Sequence, residues 1–381
     1  MIKIDYINLG WDKFMSNANV GKKKSKRIFY FDALRALAIL SVIIIHVFNK
    51  TNALAVMGWG TIPSFRWFVA DFNLLAFRIG VVLFLMLSGA LSLGREWEIK
   101  DFLGRRLPRI VAPFLFWGFF MSLIVIAFSY HFHFHWIKSI SIYSVLNFIY
   151  NAYLCKSPTF LPYWFFWMIL GTYFIMPIFN KWLLHAELKE AEYFLVFWLI
   201  TCIFDFTLFK PFPIKLIYFT SPIGLVVLGY YLRHTERKLL NNPYFSILLI
   251  IVPIICMMAF SYMYSTPHKF YTFDRYSIFG AIEVIGVFTL FKNFGKFNFK
   301  PGFLYNPKGI LRRLVASLAK CSYGIYLTHL CFIKIASKFL FSSVNYYLLN
   351  IILLIVGIFV PLIMLTALNN VPYVNEVIGV K

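Results

Sequence analysis

The sequence predicts an all-α fold: a polytopic integral membrane protein with about ten transmembrane helices. Of its 381 residues, 61% are hydrophobic and only 14% are charged, whereas a typical soluble domain is about 45–50% apolar. So few charges cannot cover a water-facing surface on a chain of this length, which excludes a soluble globular protein. Apolar runs of about 20 residues, the length that crosses a bilayer, recur along the sequence. They lie at residues 28–49, 68–93, 110–130, 161–180, 192–209, 215–232, 244–263, 274–292, 319–340 and 346–368.

The distribution of lysine and arginine predicts that both termini face the cytoplasm. In this orientation 25 of the 37 Lys and Arg residues fall in inner segments and 10 at the outer side, as the positive-inside rule requires. Residues 1–27 then form a basic cytoplasmic leader, 28–368 the transmembrane domain and 369–381 a short cytoplasmic tail. The net charge of +22 reflects this bias and contact with lipid headgroups, so nucleic acid is not an expected partner. We expect a multi-pass protein of the cytoplasmic (inner) membrane.

The first span carries three ionisable residues on one helical face. Arg35 and His46 are eleven residues apart, which is three turns plus roughly 20°, and Asp32 precedes Arg35 by three residues. Ionisable groups inside a bilayer cost free energy and usually mark function, and an imidazole suits general-base catalysis. We predict His46, Arg35 and Asp32 as catalytic residues. The alternative for His46 is a hydrogen bond that only ties two helices together.

A cluster of three arginines precedes the third span. Arg105, Arg106 and Arg109 surround a proline, and the last two have R-x-x-R spacing. Guanidinium groups bind phosphate oxygens through paired hydrogen bonds, and the N-terminal end of the following helix would add partial positive charge. The cluster indicates a cofactor phosphate site on the cytoplasmic side. An ordinary positive-inside anchor would explain the charges equally well.

Three further polar residues lie within predicted spans. Arg78 lies in the middle of the second span and requires an acidic or ligand partner, and Glu283 is an acid in the eighth span. Ser88 lies in the segment Phe84–Gly89, where small residues let helices pack closely. We predict Arg78, Ser88 and Glu283 as supporting residues of the site, although helix packing by itself accounts better for Ser88.

The ninth span adds two supporting residues and no predicted metal ligand. Tyr326 and His329 are three residues apart and share a helical face, although an aromatic belt with a structural histidine gives the same pattern. The alternating histidines His131, His133 and His135 have no carboxylate or cysteine beside them, and the five cysteines form no C-x-x-C pair. We therefore predict no metal site.

Segments in several spans resemble the motifs of the acyltransferase 3 family of integral-membrane acyltransferases. The similar segments are Phe31–Leu40 with His46 (R-x10-H), Phe84–Gly89 (F-F-x-x-S-G), Arg106 with Arg109 (R-x-x-R), and Tyr326-Leu327-x-His329 (Y-L-x-H). Leu85 stands where that family often has an aromatic residue, and residues 263–320 match little of it. The run Pro162–Phe165, with Tyr173 and Pro177, is similar to the branch that acts on surface polysaccharides.

The resemblance implies transfer of an acyl group, often acetyl, from cytoplasmic acetyl-CoA to a hydroxyl of an extracytoplasmic or lipid-linked glycan. Acetyl-CoA would be the acyl donor, a glycan or lipid-linked sugar the acceptor, and no metal would take part. The resemblance leaves open whether His46 is a general base or a transient acyl carrier. Acetyl and succinyl donors also remain open.

Two other classes of membrane protein fit the composition. A secondary transporter or flippase also uses intramembrane ions, although acidic proton relays are its usual mark and this chain has few membrane acids. An assembly subunit of a polysaccharide-export complex would need no ordered set of motifs. Transfer of acetyl from acetyl-CoA by the purified protein distinguishes the enzyme from both.

Overall fold

The computed structural model is built of helices and describes most of the chain. The described residues are 28–57, 59, 62–132, 141–156, 162–210, 222–267, 270–294, 309–341 and 343–380. The predicted leader 1–27 lies outside them, as do His133, His135 and residues 295–308 of the basic segment before the ninth span.

Numbered in chain order, the helices have the following bounds. They are α1 (Phe29–Ala55), α2 (Phe65–Ala76), α3 (Gly80–Ser92), α4 (Ile99–His131), α5 (Ile142–Tyr153), α6 (Trp164–His185), α7 (Leu188–Phe204), α8 (Ile223–His234), α9 (Pro243–Tyr264), α10 (Ile278–Asn293), α11 (Ile310–Leu340), α12 (Tyr346–Leu368) and α13 (Val374–Val377).

The structure confirms the all-α, polytopic membrane fold. Within the described residues, five helical segments are long and apolar enough to cross a membrane: α1, the α2–α3 pair, α4, α9 and α12. Helices α6, α7, α8, α10 and α11 overlap the other five predicted spans. The count of ten spans and the orientation with both termini inside stay predictions.

Helix α1 lies at the centre of the helix bundle. It packs against α2, α3, α11 and α12, and its side chains Leu34, Ala38, Ile39 and Ile43 are fully buried. Because neighbours cover α1 on several sides, its polar residues meet protein groups rather than lipid tails alone. The helix that carries Asp32, Arg35 and His46 is therefore an interior helix, which favours a role for these residues within the protein.

The second predicted span consists of two helices separated at residues 77–79. Helix α2 ends at Ala76 and α3 begins at Gly80. At the break, the Arg78 guanidinium donates from Nη1 to the Phe273 carbonyl at 2.8 Å and from Nε to the Leu74 carbonyl at 3.4 Å. Backbone carbonyls therefore satisfy part of the hydrogen-bonding capacity of this cation.

Helices α3 and α8 cross at two glycines. A Cβ added at Gly89 would fall on the Val226 carbonyl, and a Cβ added at Gly229 would fall on the Met86 carbonyl. The two backbones can approach this closely only because both positions lack a side chain. This contact agrees with the packing role expected for the small residues after Phe84. The neighbouring Ser88, about 100° further round α3, lines a cavity.

Helix α4 begins earlier than its apolar run. Its first residue is Ile99, so Arg105–Arg109 lie inside the helix. The expectation that these arginines precede a helix N-terminus is wrong, because the polar first turns of α4 are helical although they are not hydrophobic. The partial positive charge of a helix start falls off within about one turn, so it does not contribute at Arg106 or Arg109.

The segment after α12 folds back onto the bundle. Residues Ile378 and Val380 are buried, and the Trp117 indole donates a hydrogen bond to the Ile378 carbonyl at 3.0 Å. Gly379 has a φ of +77°, a left-handed conformation that favours glycine. A segment predicted only as a tail thus packs against α4 and α11.

Candidate functional site

A cavity of about 280 Å³ lies between α1, α3, α4, α6 and α11. Its wall combines four cationic side chains with hydroxyl groups and aromatic rings. The lining residues are Arg35, Phe84, Leu87, Ser88, Leu91, Arg106, Arg109, Ile110, Phe165, Ile169, Tyr173, Ala319, Lys320, Ser322, Tyr323, Tyr326 and Gly379. Five of the residues predicted from the sequence, on four different helices, therefore meet at one site: Arg35, Ser88, Arg106, Arg109 and Tyr326.

Two arginines of the cavity are held by polar neighbours. Arg35 Nη1 lies 3.4 Å from Asp32 Oδ1, and the Asp32 side chain is 5% exposed against 36% for Arg35. Arg106 Nη2 donates to the buried Ser92 Oγ at 2.7 Å. A guanidinium has five N–H donors, so it can bind an anionic ligand and a fixed neighbour at the same time.

Arg105 faces away from the cavity. Its Nη2 donates to Asp101 Oδ2 at 2.7 Å, and both side chains are more than half exposed. Arg106 follows Arg105 by one step of about 100° around α4, so the two side chains leave the helix in different directions. Of the three arginines predicted to bind the cofactor, the structure brings Arg106 and Arg109 to the cavity and leaves Arg105 at the surface.

Two further cations, Arg95 and Arg233, lie near Arg106. In the loop between α3 and α4, partial burial of the Arg95 guanidinium lowers its pKa, and the charges of Arg233 and Arg106 lower it further. Arg233 itself donates to the Ala90 carbonyl and lies over the Phe31 ring, 5.5 Å from its centroid. Mutual repulsion among these groups favours an anion between them.

The hydroxyl groups of the wall belong to fixed side chains. Ser88 Oγ donates to the Phe84 carbonyl at 3.0 Å, and Tyr323 Oη donates to the Ile110 carbonyl at 2.8 Å. Tyr326, which is fully buried, donates to the Pro162 carbonyl. Each of these hydroxyls donates its proton to a backbone carbonyl. Its oxygen can therefore act toward other groups only as a hydrogen-bond acceptor.

His46 lies beyond the wall of this cavity and next to His329. The two imidazole rings are 5.2 Å apart between centroids, and the ring of Tyr326 is 6.1 Å from that of His329. His329 is fully buried, whereas His46 is partly exposed. Tyr326 therefore contacts the cavity on one side and the histidine pair on the other, which connects the cation cluster to the imidazoles.

Arg78 and Glu283 lie at a separate, much smaller cavity. Its volume of about 10 Å³ is that of a single water, and its wall also includes Asp274 and Arg275. Glu283 is 2% exposed. The structure brings these two predicted supporting residues together but does not place them with Arg35, Arg106 and Arg109.

Several residues of the main cavity were absent from the sequence predictions. Lys320, Tyr323 and Tyr173 line the wall, and Gly379 reaches it from the segment after α12. A signal for the first two was available, because Lys320, Tyr323 and Tyr326 follow one another at three-residue spacing, which makes each a neighbour of the next on the surface of α11. No local pattern marks Gly379.

The described part of the chain contains no group of three or more His, Cys, Asp or Glu side chains arranged to hold a metal ion. His133 and His135 lie outside that part.

Comparison with known families agrees with the motifs. Residues 28–366 match the sequence profile of a family described as an acyltransferase domain, type 3. The match extends over the helices that form the cavity and over both histidines. No curated protein and no solved structure matches the chain significantly.

Proposed function

Because the chain belongs to the acyltransferase 3 family and is a multi-pass membrane acyltransferase, we propose that it is an O-acetyltransferase of glycans. Its donor is cytoplasmic acetyl-CoA, and its acceptor is a hydroxyl of an extracytoplasmic or lipid-linked glycan of the cell envelope. The enzyme lies in the cytoplasmic membrane, and no metal takes part. In this proposal His46 is the base, with Arg35 and Asp32 beside the reaction path.

The observation that carries the proposal is the convergence of cations on one cavity. Coenzyme A presents a pyrophosphate and a 3′-phosphate, and Arg35, Arg106, Arg109 and Lys320 come from three helices to the same wall. Guanidinium groups match phosphate oxygens in geometry as well as charge. An orientation anchor alone does not require cations from separate helices to converge, so this arrangement supports a phosphate site.

The path from the cavity to the imidazoles supports the same donor. Arg35 and His46 are eleven residues apart on α1, or about 16 Å along the helix axis. A phosphate group bound near Arg35 is therefore too far from His46 to react there directly. The thioester at the end of a long, thin arm spans such a distance, and Tyr326 and Phe165 flank the route, with ring centroids 5.1 Å apart.

The exposed Arg105 provides a matched control for a test of the donor site. We expect Arg106→Lys and Arg109→Lys to raise the KM for acetyl-CoA, because lysine keeps the charge but loses the two-pronged hydrogen bonding. Loss of one charge-assisted hydrogen bond costs about 1.5–3 kcal/mol, or about ten- to a hundredfold in affinity. Arg105→Lys should behave like the parent, since its partner is the surface residue Asp101.

The measurement is release of the coenzyme A thiol and transfer of radiolabelled acetyl by purified protein, with a glycolipid extract as acceptor. If both the Arg106→Lys and the Arg109→Lys variants bind coenzyme A with the parent's affinity, the arginine cluster only anchors the topology. The same assay with succinyl-CoA distinguishes the acyl group. A parent protein that processes neither donor would refute the proposed function.

A further inference from the structure

We infer that His329 is the positioning residue for His46: during the reaction its Nε2 accepts a hydrogen bond from one ring nitrogen of His46 and leaves the other nitrogen of His46 as the free base. The inference rests on the proposed function, because it specifies how an imidazole within the bundle is made ready to accept a proton. In this inference His329 orients the His46 ring, in addition to packing between helices.

The first observation is the hydrogen bonding of His329. Its Nδ1 lies 2.9 Å from the Ile325 carbonyl oxygen. A carbonyl oxygen only accepts, so Nδ1 carries the proton and, in the neutral ring, Nε2 carries a lone pair. This tautomer is therefore set by the backbone of α11.

The second observation is the state of the opposite nitrogen. His329 is fully buried, and its Nε2 has no hydrogen-bond partner within the described residues. A buried acceptor without a partner costs free energy, so such a group in a native fold calls for an explanation. The neighbouring ring of His46, which makes no hydrogen bond to Nε2 in this structure, is close enough to provide the donor when it turns toward His329.

The third observation is the position of His46. Its ring centroid lies 5.2 Å from that of His329, and the planes are tilted by 46°, so the two rings are neighbours that do not stack face to face. His46 is partly exposed whereas His329 is not. Of the two imidazoles, His46 is therefore the more accessible, and the fully buried His329 can act only through a neighbouring group.

The resulting chemistry is balanced without a further reactant. The free nitrogen of His46 takes the proton of the acceptor hydroxyl as its oxygen attacks the thioester carbonyl. The new C–O bond forms, the C–S bond breaks, and the protonated imidazole then returns the proton to the departing thiolate. Throughout the step, the other His46 N–H stays bonded to His329 Nε2, which stabilises the imidazolium and fixes the ring.

Substitution of His329 by asparagine or by glutamine distinguishes this positioning role from a purely structural role. Asparagine at position 329 places its amide nitrogen near the site of Nδ1, so His329→Asn keeps the bond to Ile325 and loses the acceptor at Nε2. Glutamine places its amide oxygen near the site of Nε2, so His329→Gln keeps an acceptor for His46. We expect kcat of the Asn variant to fall about 100-fold or more and that of the Gln variant to stay within about tenfold of the parent. The KM for acetyl-CoA should stay unchanged in both.

A structural role predicts the reverse order, because only asparagine preserves the Ile325 bond. The inference is overturned if the Asn variant keeps parental kcat or if Gln restores no more activity than Asn. Nitrogen NMR of ¹⁵N-histidine-labelled parent protein in liposomes, with His329→Gln for assignment, tests the tautomer independently of either variant's stability. The inference requires a neutral His329 ring protonated at Nδ1, and a proton on Nε2 refutes it. A parent inactive on acetyl-CoA would reject the donor while this measurement still tests the imidazole pair.

Discussion

At the scale of single residues, the three ionisable groups of α1 divide into two sets. Asp32 and Arg35 contact each other at 3.4 Å, and Arg35 lines the main cavity. His46 lies beyond that cavity, beside a histidine from α11. Residues of one helical face of α1 therefore lie at two different sites, the main cavity and the histidine pair. Their different depths match the two ends of the proposed donor, with phosphates at one end and the thioester at the other.

We expect His46→Ala to lower acyl transfer by about 10²–10⁴-fold, the usual effect of removing a general base. The variant should retain expression and thermal stability, because His46 is only partly buried. His185→Ala is the matched control, since His185 is exposed at the end of α6. Initial rates of transfer at saturating acetyl-CoA measure the effect. Near-parental rates in the His46 variant would remove this imidazole from the mechanism.

At the scale of helices, the crossing of α3 and α8 determines how one wall of the cavity is placed. The backbones touch at Gly89 and Gly229, and Ser88 on α3 faces the cavity. A side chain at the crossing must push the helices apart, because the obstructing atoms are backbone carbonyls rather than flexible side chains. Ser88 and Leu87 would then shift relative to Arg35 and Arg106.

Gly89→Ala and Gly229→Ala are accordingly expected to destabilise the protein. Forcing extra atoms into a packed contact costs about 1–3 kcal/mol, which should appear as a lower thermal unfolding midpoint in detergent. Gly171→Ala provides the control: nothing lies within 4 Å of a Cβ there, and alanine is the better helix former. Equal midpoints for all three variants would contradict the close crossing seen here.

At the scale of the whole molecule, orientation follows from charge. The net charge of +22 is concentrated on one predicted side of the membrane, and the cations of the main cavity lie toward that same side. If this side is cytoplasmic, the cavity opens to the compartment that holds coenzyme A. The proposed donor site therefore requires the predicted orientation in the membrane.

Reporter fusions test this orientation directly. A reporter joined at residue 145, in α5, should report the outside, and one joined at residue 300 should report the inside. The expectation comes from the excess of lysine and arginine in the predicted inner segments. The opposite pattern would reverse the orientation and turn the cation-lined cavity away from the cytoplasmic donor.

The sequence by itself determined the class of protein, most of its helices and the identity of most of the polar residues at the site. Composition, apolar run length and periodicity are local properties, so they are readable along a single chain. Arg106, Arg109, Ser88 and Tyr326 could be selected because each lies in a short motif.

Only the tertiary structure decided which of these residues meet. Helix packing places Arg106, Lys320 and Gly379 at the main cavity, whereas Arg105 does not line it. Arg78 and Glu283 line a second, smaller cavity. It also brought His46 and His329 together from helices far apart in the chain. The physical reason is that the wall of a cavity is formed by side chains from several helices. The rotation and crossing of each helix are set by contacts such as those at Gly89 and Gly229, which no local pattern of hydropathy encodes.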